Sequence, residues 1–433
     1  MGIGVGLLGL GTVGAGVAEI LTTPRGRHPL VGALDLRRVA VRDLHRKRPI
    51  HLDPALLVTD PEAVIDDPTV EIVVEVMGGL EPARSLILRA IGARKSVVTA
   101  NKAVIARYGE EIAAAAEQQG VYVLIEAAVG GGIPIIEPLK QSLGGNRIRR
   151  VSGIINGTTN YILTRMSEEG VAYGEVLAEA QMLGYAEADP TADVEGGDAA
   201  DKIAILAGLA YGGAVDRRQI PTEGIHRLEA RDVAYAAQLG YVVKLLAVAE
   251  WMETRDGIEL LDVHVHPTLL PKQHPLAGVN GVNNAILVEG EPVGQVMFYG
   301  PGAGAGPTAS AVVADILNIA GIHEVAGGEA ALDPLLAARS WRRCSLVDST
   351  GTLHRNYVRL QTRDEAGVIG KIGSCFGQAK VSIQSIMQLE CQDNRAEIVV
   401  LTSKVPEANF RSALREISGL DEIDGVAATL RAL

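Results

Sequence analysis

Cysteine is scarce in this chain: Cys344, Cys375 and Cys391 are its three, all in the last quarter of 433 residues. An odd number without CxxC spacing builds neither a disulfide framework nor a zinc site, and a reduced, cytoplasmic setting is the simplest expectation. Aromatic residues make up only 3%, so Ala, Val, Leu and Ile must fill the cores. Positive charge is also in deficit: the net charge of −12 argues against a general affinity for nucleic acid or anionic lipid. The basic run Arg42, Arg46, Lys47 and Arg48 is local; it serves one phosphate or lies as a solvated loop. The N-terminus lacks the basic region of a secretory signal. No apolar run is expected to span a membrane, and Ile72–Met77 is interrupted by Glu75. Internal repeats and low-complexity tracts are missing too.

What is present is globular. Hydrophobic residues are 47% and charged residues 21%, and the length implies two or three domains. Ile3–Leu8, Val39–Val41, Ile72–Val76, Val97–Thr99 and Val121–Ile125 read as buried strands, with helical patterns at Pro82–Ala93 and Tyr108–Gln119 between them. This βαβαβ order predicts a parallel, doubly wound α/β sheet. After Gly130–Gly132 the pattern changes to longer strands (Val151–Ile155, Asp262–His266, Ala285–Glu289, Glu291–Phe298). Helices accompany them at Tyr161–Glu168, Tyr173–Leu183 and Asp198–Ala210. A Gly-rich stretch, Gly300–Gly306, precedes a helix at Thr308–Ala320; a linker follows, with Gly327, Gly328 and Pro334. From Asn356 the order is strand, helix, strand, strand, helix, strand, a separate small domain.

The turn Gly9-Leu10-Gly11-Thr12-Val13-Gly14 follows a predicted strand and opens a helix over Val13–Leu21. In that context a GxGxxG is the dinucleotide-binding fingerprint: glycines permit the tight turn and close approach, and the helix N-terminus offers N–H groups to phosphates. A purely structural glycine turn is the alternative. The second strand ends Val39-Ala40-Val41-Arg42-Asp43. Arginine there suits the 2′-phosphate of NADP, whereas an acid suits the ribose of NAD; Arg42 favours NADP and Asp43 keeps NAD open. Arg42 as a plain surface residue is the competing reading.

Thr99-Ala100-Asn101-Lys102 ends a strand at the carboxyl edge of the sheet, where ligands of open α/β folds bind. Farther on, Gly184-Tyr185-Ala186-Glu187-Ala188-Asp189-Pro190 leads to Asp193 and to Gly196-Gly197-Asp198-Ala199-Ala200-Asp201-Lys202. A helix from Asp198 sets that acid and Lys202 one turn apart, and Lys202 aligns with Leu206 and Leu209 beside an apolar stripe. An exposed Asp–Lys pair is the bland alternative. Oxidising an alcohol requires a proton to leave oxygen as hydride leaves carbon. One lysine can exchange that proton, a second can stabilise alkoxide charge, and carboxylates can grip a cationic amine. The set fits an amino-acid-like alcohol or aldehyde.

These segments resemble the homoserine dehydrogenase family. GLGTVG, TANK, EAAVGGGIP, NGTTNYIL, GYAEADPTADVEGGDAADK and YGPGAGAGPTA occur in the family's order over nearly the whole chain. The resemblance implies interconversion of L-homoserine and L-aspartate 4-semialdehyde with NADP or NAD. It implies Lys202 as proton donor or acceptor and Lys102 as its partner at the reacting oxygen. Glu187, Asp193, Asp198, Tyr185 and Thr158 fall at substrate positions. Gly9, Gly11, Thr12, Val13, Gly14, Arg42, Lys102, Gly184, Glu187 and Gly302 fall at cofactor positions. Asn156-Gly157-Thr158-Thr159 should border the substrate. Glu126-Ala127-Ala128-Val129-Gly130-Gly131-Gly132-Ile133 matches the family's monovalent-cation loop, implying sodium held at Glu126, Val129, Gly131 and Ile133; a glycine hinge without an ion is the alternative.

The C-terminal segment resembles an ACT module of ferredoxin-like fold, with elements at Tyr357–Gln361, Gly367–Ala379, Ser382–Glu390, Ala396–Thr402 and Glu407–Glu416. The turn Arg363–Val368 is where such modules meet an amino acid, which implies feedback by threonine; an ACT module used only for dimer contacts is the alternative. The expected division is a Rossmann domain over 1–134, an α+β substrate and dimerisation domain over 135–307, a helical return segment over 308–340, a linker over 341–355 and the ACT module over 356–433. A homodimer or homotetramer is expected. Aspartate-semialdehyde dehydrogenase, the nearest rival, needs a thiolate nucleophile, and no cysteine precedes Cys344. A non-catalytic amino-acid or nucleotide sensor, or another dehydrogenase of an amino-acid alcohol, remains the alternative.

Overall fold

The computed structural model describes residues 2–253, 259–325, 342–343, 345–390 and 395–433. The linker glycines Gly327 and Gly328, Pro334, Cys344 and Cys391 lie outside them. Along the chain come β1 (Ile3–Leu8), α1 (Thr12–Thr22), β2 (Leu34–Ala40), β3 (Leu57–Val58), α2 (Glu62–Ile65), β4 (Ile72–Glu75), α3 (Ala83–Gly92), β5 (Ser96–Thr99), α4 (Lys102–Gln119) and β6 (Val123–Leu124). Next are α5 (Ile136–Lys140), β7 (Arg147–Ile154), α6 (Gly157–Glu169), α7 (Tyr173–Met182), α8 (Thr191–Val194), α9 (Gly197–Tyr211) and β8 (Gly213–Ala214). Then follow α10 (Ala230–Gln238), β9 (Tyr241–Glu253), β10 (Glu259–Pro271), β11 (Asn283–Glu291), β12 (Gly294–Pro301), α11 (Ala305–Val325) and β13 (Arg342–Arg343). The chain ends with β14 (Leu353–Arg363), α12 (Val368–Gln378), β15 (Ile383–Glu390), β16 (Arg395–Thr402), β17 (Val405–Pro406), α13 (Glu407–Ile417) and β18 (Ile423–Ala432).

Two compact units emerge: residues 1–151, 201–218 and 283–344 form the first, and 152–200, 219–282 and 345–433 the second. In the first, six strands run in the order β3-β2-β1-β4-β5-β6, and every neighbouring pair is parallel. Order reverses between β1 and β4, which makes the switch point where such sheets bind ligands. Val5, Leu7, Ile72, Val74 and Val98 lie in one core with Val17, Ala18 and Leu21 of α1 and with Ala309, Val312, Ile316 and Ile319 of α11. Burying each of these branched side chains stabilises the unit by roughly 1.5–3 kcal/mol. Over Ala305–His323, α11 is long and apolar enough to cross a membrane, which the sequence reading had not anticipated. Its packing on α1 and its fully buried Asp315 identify it instead as a core helix.

In the second unit, β9 and β10 form a thirteen-residue antiparallel hairpin. Beside β10 the C-terminal strands follow in the order β18-β14-β16-β15, antiparallel to one another. α12 and α13 supply Val368, Ile372, Phe376, Phe410 and Ile417 to the core beneath them. Their apolar residues recur at three- and four-residue spacing, so each helix buries a single face.

Candidate active site

In the first unit, β1 delivers the chain into the glycine turn. The N–H of Gly9 donates to the carbonyl of Ala40 at 3.1 Å, tying the turn to the end of β2. A Cβ on Gly14 would stand 2.2 Å from the Gly9 carbonyl oxygen, whereas one on Gly11 would meet nothing within 4 Å. The first position closes the helix onto the strand; the second leaves room for a ligand. Gly11 caps α1 without a side-chain hydrogen bond, so the first N–H groups of the helix face outward. Two clefts flank this turn. The smaller, about 290 Å³, is lined by Gly9, Gly11, Ala40, Arg42, Asp43, Arg46, Arg48, Thr59 and Met77. The larger, about 560 Å³, adds Thr12, Arg27, Lys47, Ala305 and Gly306. Arg48 braces the loop by donating to the carbonyls of Asp43 at 2.5 Å and Arg46 at 2.9 Å. The Asp43 carboxylate accepts the N–H of His45 at 2.8 Å. Arg42 is exposed at the cleft. Open N–H groups, a glycine floor and clustered cations suit the phosphates of a dinucleotide.

Lys102 opens α4. It is placed there by Asn101, whose Oδ1 accepts the N–H of Val104 at 3.3 Å and whose Nδ2 donates to the Gly79 carbonyl at 2.7 Å. Thr99 supports the same turn: its Oγ1 donates to the buried carboxylate of Glu75 at 2.7 Å and accepts the N–H of Asn101 at 3.0 Å. A cation in a helix's first turn works against the dipole, so helix formation alone gives no reason for Lys102.

In the second unit, Asn156 caps α6, its Oδ1 accepting the Thr159 N–H at 2.9 Å. Its Nδ2 donates to Asp193 at 2.7 Å and to Asp198 at 3.0 Å. Thr158 Oγ1 donates to the Tyr185 carbonyl at 2.6 Å and lies 3.3 Å from Asp193 Oδ2. Thus Asn156, Thr158, Asp193, Asp198 and the Tyr185 backbone meet in one cluster. The Tyr185 ring packs 5.0 Å from that of Tyr161. Gly184 adopts φ +76° just after α7, and the Gln181 amide holds the carbonyl of Glu187 at 3.1 Å, leaving the Glu187 carboxylate exposed. α9 carries Asp198, 6% exposed, in its first turn, in the second unit, and one turn later Lys202, 8% exposed, in the stretch 201–218 assigned to the first. Burial of both removes the reading of an exposed surface pair. Lys244 of β9, which the sequence reading passed over, buries its ammonium against Asn160 Oδ1 at 3.0 Å, Asn280 Oδ1 at 3.0 Å and the Val279 carbonyl at 2.6 Å. Burial lowers its pKa to about 8.

The glycine bend after β6 forms a third feature, within the first unit. The Glu126 carboxylate accepts N–H groups from Ile135 at 2.6 Å, Ile136 at 2.8 Å and Glu137 at 2.8 Å, the N-terminus of α5. The N–H of Glu126 donates to Asp315 Oδ2 at 2.8 Å. Carboxylate oxygens of Glu126, Glu137 and Asp315 lie within 4.8 Å of one another. Burial first, then the charge of Glu126, holds Asp315 well above its ordinary pKa, and its Oδ1 has no hydrogen-bond partner. An all-oxygen, charge-rich set with an orphaned oxygen fits a hard cation. Val129, Gly131 and Ile133 follow on the same bend. At Gly131, φ is +58° and a Cβ would stand 2.4 Å from the Gly302 carbonyl oxygen, which packs the Gly302 loop against the bend. Asp315 and Glu137 went unforeseen, although a lone aspartate inside the apolar α11 sequence is a visible signal.

Two family models match: homoserine dehydrogenase over residues 134–317 and the homoserine dehydrogenase NAD-binding domain over residues 9–126. A homoserine dehydrogenase of Synechocystis sp. is 57% identical over 433 residues, all of both chains. That of Bacillus subtilis is 41% identical, covering 99% of this chain and 98% of its own. The crystal structure of a homoserine dehydrogenase from Thiobacillus denitrificans superposes with TM-score 0.90 at 40% identity, covering 100% of this chain and 98% of that one. A hyperthermophilic archaeal homoserine dehydrogenase in complex with NADPH matches 74% of this chain and 98% of its own, with TM-score 0.60 at 28% identity. On this identity over its full length, the chain belongs to the homoserine dehydrogenase family.

Proposed function

We propose that the chain interconverts L-homoserine and L-aspartate 4-semialdehyde by proton transfer at Lys202, preferring NADP and accepting NAD. The observation that carries this is the burial of Asp198 and Lys202 one turn apart on α9. Bound coenzyme supplies the hydride acceptor or donor that no side chain can. Lys202 takes the hydroxyl proton as the substrate carbon is oxidised, and returns it in the reductive direction. Lys102 stabilises charge at the same oxygen. Glu187, Asp193 and Asp198 hold the substrate ammonium, with Thr158 and Tyr185 beside them; Gly184 and Gly302 border the cofactor. Arg42, with Arg46 and Arg48 at the smaller cleft, supports the preference for NADP. Sodium at the Glu126–Ile133 bend would be held by oxygens, with Glu126, Val129, Gly131 and Ile133 as its ligands.

The C-terminal order β18-β14-β16-β15 with two helices supports an ACT module. Its turn Arg363–Val368 turns at Gly367, φ +96°, and is our candidate for threonine feedback. We assign the enzyme to the cytoplasm, in threonine, methionine and isoleucine biosynthesis, as a homodimer or homotetramer. The test is homoserine-dependent reduction of NADP and of NAD by the purified protein. Lys202→Ala should lose turnover by roughly 10²–10⁴-fold while its cofactor affinity stays put. Full activity in that variant overturns the role of Lys202. Threonine inhibition that survives deletion of the residues after Arg355 overturns the regulatory assignment.

A further inference from the structure

We infer that Asn156 is the positioning residue that holds Asp193 and Asp198 as a paired receptor for a cationic amine; this rests on the proposed substrate role of those two acids. Asn156 is 5% exposed. Its carbonyl end is committed, accepting both the N–H of Thr159 at 2.9 Å and the Thr159 hydroxyl at 3.0 Å. Turning the amide over would set its NH2 against the Thr159 N–H, so helix capping fixes which end faces the acids. The NH2 then has two N–H bonds and two acceptors, Asp193 Oδ1 at 2.7 Å and Asp198 Oδ2 at 3.0 Å. One neutral group therefore sets the spacing of two like charges that otherwise repel. It does so from the N-cap of α6, where the dipole also favours negative charge.

The two acids come from different segments, Asp193 on the one-turn α8 and Asp198 on α9. Thr158 cannot replace the amide: its single hydrogen goes to the Tyr185 carbonyl at 2.6 Å. Asn156 thus acts on the ammonium through the acids. Its loss should appear in substrate affinity rather than in cofactor binding.

Two variants test this. Asn156→Ser keeps a capping oxygen and removes the NH2. Asn156→Asp keeps both shape and cap but presents an oxygen where the donor was. In Asn156→Ser we expect the KM for homoserine to rise about 10- to 100-fold, the loss of hydrogen bonds to charged groups, with the Kd for NADP unchanged and kcat moved less than KM. In Asn156→Asp the loss should be larger at pH 8 than at pH 6, because a protonated carboxyl can again donate, giving an acid-shifted kcat/KM profile that wild type lacks. A KM within twofold of wild type in Asn156→Ser, with an unaltered profile in Asn156→Asp, overturns the assignment. So does loss of folding or of NADP binding in both, which would make Asn156 a structural cap only. A wild-type protein that fails to oxidise homoserine strikes the parent reading and takes this inference with it.

Discussion

Each unit buries a cluster of carboxylates, and the two clusters are balanced in opposite ways. In the second unit Asp232 and Glu397 are 0% and 3% exposed, yet Arg359, itself 0% exposed, lies between them. Its Nε donates to Asp232 at 2.6 Å, its NH1 to Glu397 at 2.7 Å, and its NH2 lies 3.1 Å from Glu229. Arg231 and Tyr235 complete the set on Glu397 at 2.7 and 2.9 Å. In the first unit Glu126 and Asp315 are as deeply buried, but their described partners are backbone N–H groups. The first arrangement is closed: every acid has a guanidinium, and α10 is latched to β14 and β16. The second keeps an orphaned Asp315 oxygen, and its lysine, Lys140, pairs with Glu137 at 3.3 Å rather than with Asp315 or Glu126. Buried acids of the same type are therefore neutralised by arginine in one unit and left with an unpaired carboxylate oxygen in the other.

The comparison breaks most visibly at Arg359. Arg359→Ala leaves Asp232 and Glu397 buried without their cation, and removing one partner of a buried ion pair costs about 3–5 kcal/mol. The expected result is a large loss of stability confined to the second unit, read by calorimetry and by faster proteolysis around α10 and β14. A melting profile equal to wild type would show that the network is no latch.

Acid should separate the units next. In the second unit His354 is held down to about 3, by burial first and then by Arg431 and His264. His266 is driven well below 6.5 by burial, then by His264 and Arg431, with His354 and Arg411 adding to it. Asp262 alone pulls His354 upward among these neighbours. The unfolded chain binds protons at these histidines near pH 6.5 and the folded chain does not. Their contribution is therefore complete above pH 6.5 and is lost as pH falls toward 3. Glu397 has the same sign: burial raises it, but Tyr235, Arg359 and Arg231 together lower it, so its contribution fades below about pH 4.5. Asp315 is raised and has the opposite sign. Hydrogen exchange between pH 7 and 4 should therefore show the second unit opening first; simultaneous opening would refute the contrast.

How far these differences could be read from sequence depends on range. The strands β1, β4 and β5 are plain apolar runs, and the glycine turn, Lys102 and the Asp198–Lys202 spacing are local patterns, so all were legible. α4 begins at Lys102, six residues ahead of the expected Tyr108, because Asn101 caps it. β2 begins at Leu34 rather than Val39; Asp35, Arg37 and Arg38 hid it by pairing at the surface, Asp35 with Arg37 and Arg38 with Asp67. β9 was missed because Lys244 interrupts its apolar run, and only the structure supplies the three acceptors that let a lysine be buried there. The Arg359–Asp232 pair spans 127 residues, and no local pattern encodes it. The same holds for Asn156 reaching Asp193 and Asp198 across 37 and 42 residues.

The smallest effect sharpens the comparison from the other side. In Asp315→Asn the amide oxygen can still accept the Glu126 N–H, now made to Asp315 Oδ2 at 2.8 Å. The new NH2 can donate toward the carboxylates of Glu126 and Glu137. Burial and the charge of Glu126 already disfavour the ionised form of Asp315, so a neutral amide there should cost less than about 1 kcal/mol or stabilise, unlike the loss of Arg359. What it should remove is the response to cations. At constant ionic strength, exchanging choline for sodium should raise the wild-type melting temperature by about 1–3 °C, the scale of weak ligand binding in a protein of this size. Asp315→Asn should melt at one temperature in both salts. A sodium response that survives in Asp315→Asn leaves the ion to Glu126 and the backbone of the Val129–Ile133 bend and removes the Asp315 carboxylate from its shell.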